Sequence, residues 1–279
     1  MKQLLRPGNV AAVAGAFLAA IAFSIVAHGA ETDPRVAPAQ GSLERGDFAQ
    51  ALDTLKPLAE EGVTQAQFLL GMTLERAPPP MGNLSEALGW YTRAAEAGMA
   101  AAQNNLGAMY VDGRGTPIDA AQAAKWYRAA AEQGFAVSQY NLALLYANGK
   151  GVARDHAEMA RWMEKAALSG LAAAQAQYAQ FLLNGLGVKA NATEAARWFL
   201  FAANQRHAGA QYFIGVMLQK GVGLDRDLVA AHGWLMRSAE GGNRNAMLEL
   251  AKIYELGLGV PSDANEAKFW RDKAGFEKK

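Results

Sequence analysis

The 279-residue chain contains no cysteine. That excludes a disulfide framework, a thiolate nucleophile, an iron–sulfur cluster and cysteine-ligated zinc. It also lacks a surplus of either charge: 27 Lys and Arg face 26 Asp and Glu, a formal +1. Binding nucleic acid through bulk electrostatics needs a basic excess to neutralise phosphates, so that class is excluded. Charged residues are only 19% of the chain, below the typical ~25%. Disorder needs more charge and less apolar content. His156, His207 and His232 are the histidines beyond the N-terminal leader, and none forms His-x-x-x-His. No metal site and no cofactor are therefore expected. His156 is expected to be solvated, just inside a helix, and His232 to be a core residue hydrogen-bonded to a neighbouring repeat. Gly-x-Ser-x-Gly and Ser-x-x-Lys are absent, so a serine hydrolase has no visible nucleophile.

What is present begins with a leader. Lys2 and Arg6 precede an apolar run from Val10 to Val26, and no charge follows until Glu31. A basic start, an apolar middle and small residues at the end form a Sec-type signal peptide over residues 1–30. Cleavage is expected after Gly29 or Ala30, giving an exported, periplasmic or secreted product with no stable membrane insertion. The alternative is an uncleaved anchor, for which the run is at the short limit. Residues 31–41, with Pro34 and Pro38, read as a linker.

A 36-residue period runs through the rest. All six tryptophans lie on it: Trp90, Trp126, Trp162, Trp198, Trp234 and Trp270. Gly-x-Gly keeps the same step at Gly113/Gly115, Gly149/Gly151, Gly185/Gly187, Gly221/Gly223 and Gly257/Gly259. One fixed period is the signature of stacked repeats. Six units fit over 64–279, and 42–63 supplies an N-terminal capping helical segment through Phe48, Ala51, Leu52, Leu55 and Leu58.

Each unit reads as two helices. Ala102, Leu106, Met109 and Tyr110 give the first an apolar face. Gly107 has only small counterparts (Gly71, Ala143, Ala179, Gly215, Ala251), which predicts close helix contact. The second helix starts at Asp119, with Gln122 three places on. Asn83/Glu86, Asp155/Glu158, Asn191/Glu194 and Asp263/Glu266 repeat this capping-box pattern, while Asp227 lacks the partner. It stops at Gly134, matched by Gly62, Gly98, Gly170 and Gly242 as left-handed caps. Arg206 is the exception, followed by His207, and a strained or reshaped junction is expected there. Arg271 and Lys268 occupy positions that are mostly apolar in the other units, as an end cap would. Such hairpins cannot bury their apolar faces alone, so they must stack into an all-α solenoid.

The run Ala102-Gln103-x-x-Leu106-Gly107-x-x-Tyr110-x-x-Gly113-x-Gly115, then Asp119, Ala123, Trp126-Tyr127, Ala130-Ala131 and Gly134, resembles the Sel1-like repeat, a tetratricopeptide-like family. The resemblance covers about residues 42–279. The departures are Ala77-Pro78-Pro79-Pro80 for the first Gly-x-Gly, Asn191 for Asp and Arg206 for Gly. The resemblance implies a right-handed α/α superhelix, and members that are mostly adaptors, the bacterial ones often exported. It also implies a rival reading, a peptidoglycan- or β-lactam-binding or hydrolysing protein, after a cysteine-rich exported subgroup. This chain has none of that subgroup's cysteines.

The Gly-x-Gly turns each follow a helix, unlike phosphate loops, which follow a strand. Asp119, Asp155, Asp227 and Asp263 are explained as caps. Binding remains, and comparing units inside the chain separates scaffold from surface. The place of Asn104 holds Phe68, Tyr140, Ala176, Tyr212 and Leu248; four residues on, Ala108 is matched by Leu144, Gln180 and Lys252. A turn further, Val111 is matched by Glu75 and Glu255. These places form one helix stripe. Phe68, Tyr140, Leu144, Tyr212 and Leu248 are expected to line a groove that takes a protein or peptide partner; the competing role is packing against adjacent units. Leu200, Phe201 and Met236 replace polar residues of sister units and are expected to form an outer apolar patch. Its expected use is a contact with a partner, a membrane surface or a second copy, in a monomer or weak homodimer.

Overall fold

The computed structural model describes residues 33–275, and every regular element among them is helical. After a 3-10 turn (Pro34–Val36) come α1 (Ala37–Glu44), α2 (Phe48–Glu60), α3 (Thr64–Arg76), α4 (Leu84–Glu96) and α5 (Ala100–Asp112). Then follow α6 (Ala120–Glu132), α7 (Ala136–Asn148), α8 (His156–Leu168), α9 (Ala172–Asn184) and α10 (Ala192–Asn204). The last are α11 (Ala208–Lys220), α12 (Leu228–Glu240), α13 (Arg244–Leu256) and α14 (Ala264–Lys273). The proposed leader lies outside the described residues. No helix among the described residues is long and apolar enough to cross a membrane.

The segment expected to be a linker is structured from Pro34 onward. Both prolines sit in first turns of helices, where a missing N–H costs nothing. Val36 and Ala39 are fully buried, and the 3-10 turn packs on α1 and α2.

The chain divides into two compact units, one ending at Ile118 and the other starting at Asp119. In the first, α2 packs on α3, α3 on α4 and α4 on α5. In the second, each helix from α6 to α14 packs on the next. Within each unit the hairpins therefore stack side by side in solenoid fashion. Close approach occurs at the small positions: a Cβ on Gly71 would stand 3.0 Å from Tyr91 Cδ1, and one on Gly215 2.6 Å from Leu235 Cγ. Phe199 of α10 stacks on Phe213 of α11 with ring centroids 4.7 Å apart.

The capping acids behave as expected on one side only. Asp119, Asp155, Asp227 and Asp263 each accept two backbone N–H bonds of the following first turn at 2.8–3.1 Å. The reciprocal bond from the cap N–H to the glutamate is not formed at Asp155, Asn191 or Asp263, although Glu194 accepts from the Asn191 side-chain Nδ2 at 3.1 Å. The cap's own N–H donates instead to the preceding helix: Asp155 to Tyr146 O at 3.2 Å, Asn191 to Leu182 O at 2.8 Å, Asp263 to Tyr254 O at 2.9 Å. This frees the glutamate, and Glu158 accepts from the Trp162 indole N–H one turn later, at 3.0 Å.

Two devices hold successive hairpins in register. The first is a glutamine whose role the sequence did not disclose. Gln67, Gln103, Gln139, Gln175 and Gln211 are buried. Each donates its Nε2 to a carbonyl in the last turn of the preceding helix, respectively Ala59, Ala95, Ala131, Ala167 and Ala203, at 3.0–3.2 Å. Each of these carbonyls also accepts the N–H of the turn residue three places on (Gly62, Gly98, Gly134, Gly170 or Arg206), so the glutamine fills the second lone pair of a helix-end carbonyl away from water.

The second device is the Gly-x-Gly turn, whose two glycines do different work. The first ends the helix in the left-handed region, as at Gly149 (φ 64°). The second also has positive φ, and it lies against the first turn of the second helix one hairpin earlier. A Cβ on Gly115, Gly151, Gly187 or Gly223 would overlap the carbonyl oxygen of Leu84, Ala120, His156 or Ala192. A backbone neighbour cannot move aside. The prolines after α3 replace this turn, and there Gly82 packs within its own loop, where a Cβ would overlap the Ala77 carbonyl.

Arg206 answers the expectation for its junction. It adopts φ 63°, the only positive φ of a non-glycine among the described residues. The turn thus keeps its glycine-like shape and bears the strain. His207 follows as helix cap, its Nδ1 accepting from Ala210 N at 3.1 Å. Burial holds its pKa below the usual histidine value, which keeps that nitrogen free to accept.

Gly151→Ala should destabilise the protein by about 3 kcal/mol, through left-handed strain plus a backbone overlap. Gly149→Ala, whose Cβ would meet the Arg154 Cβ at 3.2 Å, should cost only about 1 kcal/mol. Arg206→Gly should stabilise by about 1 kcal/mol. Urea unfolding of the three variants measures all of this. Equal losses for the two alanines would remove the close-approach argument.

Candidate binding face of the first helices

Two units present this face differently. In the first, the stripe is closed. Phe68 is fully buried, with its ring 5.8 Å from that of Tyr91, and Met72 and Asn104 are buried too. The expectation that Phe68 anchors a partner is therefore corrected: it is a core residue. Tyr91 reaches past it from α4, and its hydroxyl donates to Glu75 Oε2 at 2.7 Å. Glu75 also pairs with Arg114 from the turn after α5. Burial first, and the Glu75 charge second, push the Tyr91 hydroxyl well above its ordinary pKa, so it stays a donor. A carboxylate with both a hydroxyl and a guanidinium is a satisfied pair.

In the second unit the stripe is half open. Tyr140 and Leu144 on α7, Tyr212 on α11 and Leu248 on α13 are all half-buried, while Ala176 on α9 is buried. Burial raises the pKa of both tyrosines, so their hydroxyls are neutral donors. Tyr212 and Leu248, expected to share a face, line one cleft of about 320 Å³. Its rim carries two ion pairs, Lys252 with Glu249 at 2.8 Å and Arg271 with Glu255 at 3.0 Å. Charges paired in this way leave an uncharged aromatic and aliphatic floor between them. Arg271, expected to be part of an end cap, thus also shapes this cleft. It stands where Tyr91 stands in the first repeat, and it meets Glu255 as Tyr91 meets Glu75.

The outer patch shrinks. Phe201 is 56% exposed and lies edge-on to Trp198. Leu200 and Met236 are half-buried, Leu200 against the cluster around Phe199 and Met236 against that around Leu250 and Trp270. The expected three-residue face is thus one protruding phenylalanine. The tryptophans form a partly covered ladder. Trp90, Trp162 and Trp270 are buried, and cations cover several indoles, including Arg93 on Trp90 at 4.5 Å and Lys165 on Trp162 at 4.3 Å.

His232 makes the expected hydrogen bond to the neighbouring repeat, Nε2 3.0 Å from the Tyr254 hydroxyl, but it is half-buried rather than a core residue. His156 differs from its expectation. It is half-buried, and its Nδ1 is enclosed without a partner among the described residues; Gly187 packs onto the backbone carbonyl of the same residue. Among the described residues, no group of three or more His, Asp or Glu converges in a way that could hold a metal.

Comparison with known proteins places these repeats. The Sel1 repeat model matches residues 64–99, 100–135, 136–171, 172–207, 208–243 and 244–275. The chain is similar to the solved structure of c5321, a protective antigen of uropathogenic Escherichia coli strains with an SLR fold. The identity is 31% and the TM-score 0.78, over 92% of this chain and 52% of that one. The chain thus spans about half the length of that relative. It is also similar to a Sel1 repeat protein from Oxalobacter formigenes, with 30% identity and TM-score 0.74, over 89% of this chain and 99% of that one. Comparison with curated proteins gives no match. Six consecutive matches, each in phase with one helical hairpin, place the chain in the Sel1 repeat family.

Proposed function

We propose that the chain is an exported, non-enzymatic adaptor. In this reading it holds a protein or peptide segment on the first-helix face of its second unit and regulates an envelope or cell-wall protein. Sel1 repeat proteins are typically protein-interaction scaffolds. Export rests on the basic-then-apolar start of the sequence. The observation that carries the binding site is the cleft shared by Tyr212 and Leu248, residues one repeat apart. Aromatic anchors in partly desolvated pockets, ringed by groups that exclude water, are the usual centres of protein interfaces. Paired charges on the rim add orientation without a net field. The segment that fits presents one apolar side chain to this floor and polar groups to the Lys252–Glu249 and Arg271–Glu255 pairs. Tyr140 and Leu144 on α7 supply a second contact point.

Photocrosslinking in cells tests this. A photoreactive residue at Tyr212 and one at Tyr140 should capture the same protein. One at Leu168, which is 69% exposed at the end of a second helix, should not. With the captured partner purified, Tyr212→Ala combined with Leu248→Ala should weaken binding by about 30-fold, or about 2 kcal/mol, while the helical signal is unchanged. Capture from Leu168 equal to that from Tyr212, or full affinity of the double variant, would remove the site.

A further inference from the structure

A second cleft, of about 450 Å³, opens where α10 ends, α11 begins and α12 ends. It shares no lining residue with the Tyr212 cleft. Arg206, Gln211, Trp234, Arg237, Glu240 and Gly241 line it. Three features set this junction apart from the one before it. At the preceding junction the Gln205 side chain crosses the gap and donates to Gly170 O at 3.0 Å and to Gln175 Oε1 at 2.8 Å. One repeat on, Gln205 is replaced by Gly241, so the plug is gone and Gln211, the counterpart of Gln175, receives no such donor. At the same junction the left-handed position, elsewhere glycine, is Arg206. A residue kept in strained backbone beside a cleft is a reason to look for a ligand.

The lining states the ligand's chemistry. Among the described residues neither Arg206 nor Arg237 enters an ion pair, and Arg237 lies over the Trp234 ring at 4.7 Å. Glu240 makes no ion pair among the described residues either, so the lining carries one net positive charge. Guanidinium forks match planar oxyanions. The last turns of α10 and α12 turn their negative ends to the same place, and Gln211 offers an acceptor. A dianionic phosphate opposes those carbonyls. A singly charged carboxylate with its own neighbouring N–H suits both halves: the oxygens meet the arginines and the N–H meets the acceptors.

We propose that this cleft binds a carboxylate flanked by an amide N–H, the chemistry shared by a peptide C-terminus and an N-acylated amino acid, with the side chain against the Trp234 indole. Its volume is that of a small-ligand site.

Calorimetric titration of the full chain tests this with N-acetyl-leucine, N-acetyl-leucinamide, an acetylated tetrapeptide with a free or an amidated C-terminus, and inorganic phosphate. The free acids should bind at least about tenfold more tightly than the amides and than phosphate. Tighter binding of the tetrapeptide acid identifies a protein end as the source, and tighter binding of N-acetyl-leucine a small molecule. Arg206→Gly and Arg237→Gln should each lose about tenfold in affinity. Arg206→Gly should melt no lower than the parent, since sister junctions carry glycine there, so its loss of binding cannot come from unfolding. Equal binding of acid and amide, phosphate binding as well as the acids, no heat up to about 10 mM ligand, or an Arg206→Gly variant that binds like the parent would each overturn the proposal.

Discussion

Backbone lying directly on backbone sets the spacing of these hairpins. The second glycine of each Gly-x-Gly turn touches the opening turn of a helix one hairpin earlier, with no room for even a methyl group. The buried glutamine then ties the next first helix to the end of the helix before it. The two ties act at opposite ends of the hairpin, and both must close together. One inserted residue rotates everything beyond it by about 100° around a helix axis, so it would carry either the glutamine or the glycine away from its partner. That explains why six units follow one another at a step of 36 without an insertion. The hydrophobic faces supply most of the stabilisation, while the ties choose one arrangement of those faces.

Features that depend on the backbone alone were legible in the sequence. The glycine turns, the acidic caps and the small positions need nothing but local conformation or close approach, and all recur in phase. Features that depend on a competing side chain were not. The capping box implies a glutamate bonded to the cap N–H, but that N–H is already taken by the preceding helix; Glu194 meets the side chain of Asn191 instead, and the indole one turn on claims the carboxylate at Glu158. Phe68 stands in the same column as Tyr140 and Tyr212, yet it is core. The reason is Tyr91, which extends over it to Glu75; a column of equivalent positions does not record what reaches in from the next helix. Pro34 and Pro38 resemble chain breakers by composition, but in a first turn a proline breaks nothing, because the N–H it lacks has no partner within the helix.

Once the ties fix the scaffold, the informative residues are those where one repeat departs from the others. Arg206 departs from the glycine of the other junctions, and Gly241 stands where the repeat before it has a space-filling glutamine. Taken singly, the first change adds strain and the second leaves a gap. Together they exchange a plug that satisfied Gln175 for an open cleft with a guanidinium at its edge. That the strained Arg206 lines an open cleft beside a second guanidinium, Arg237, is the reason to treat this junction as a site, distinct in chemistry from the uncharged Tyr212 floor.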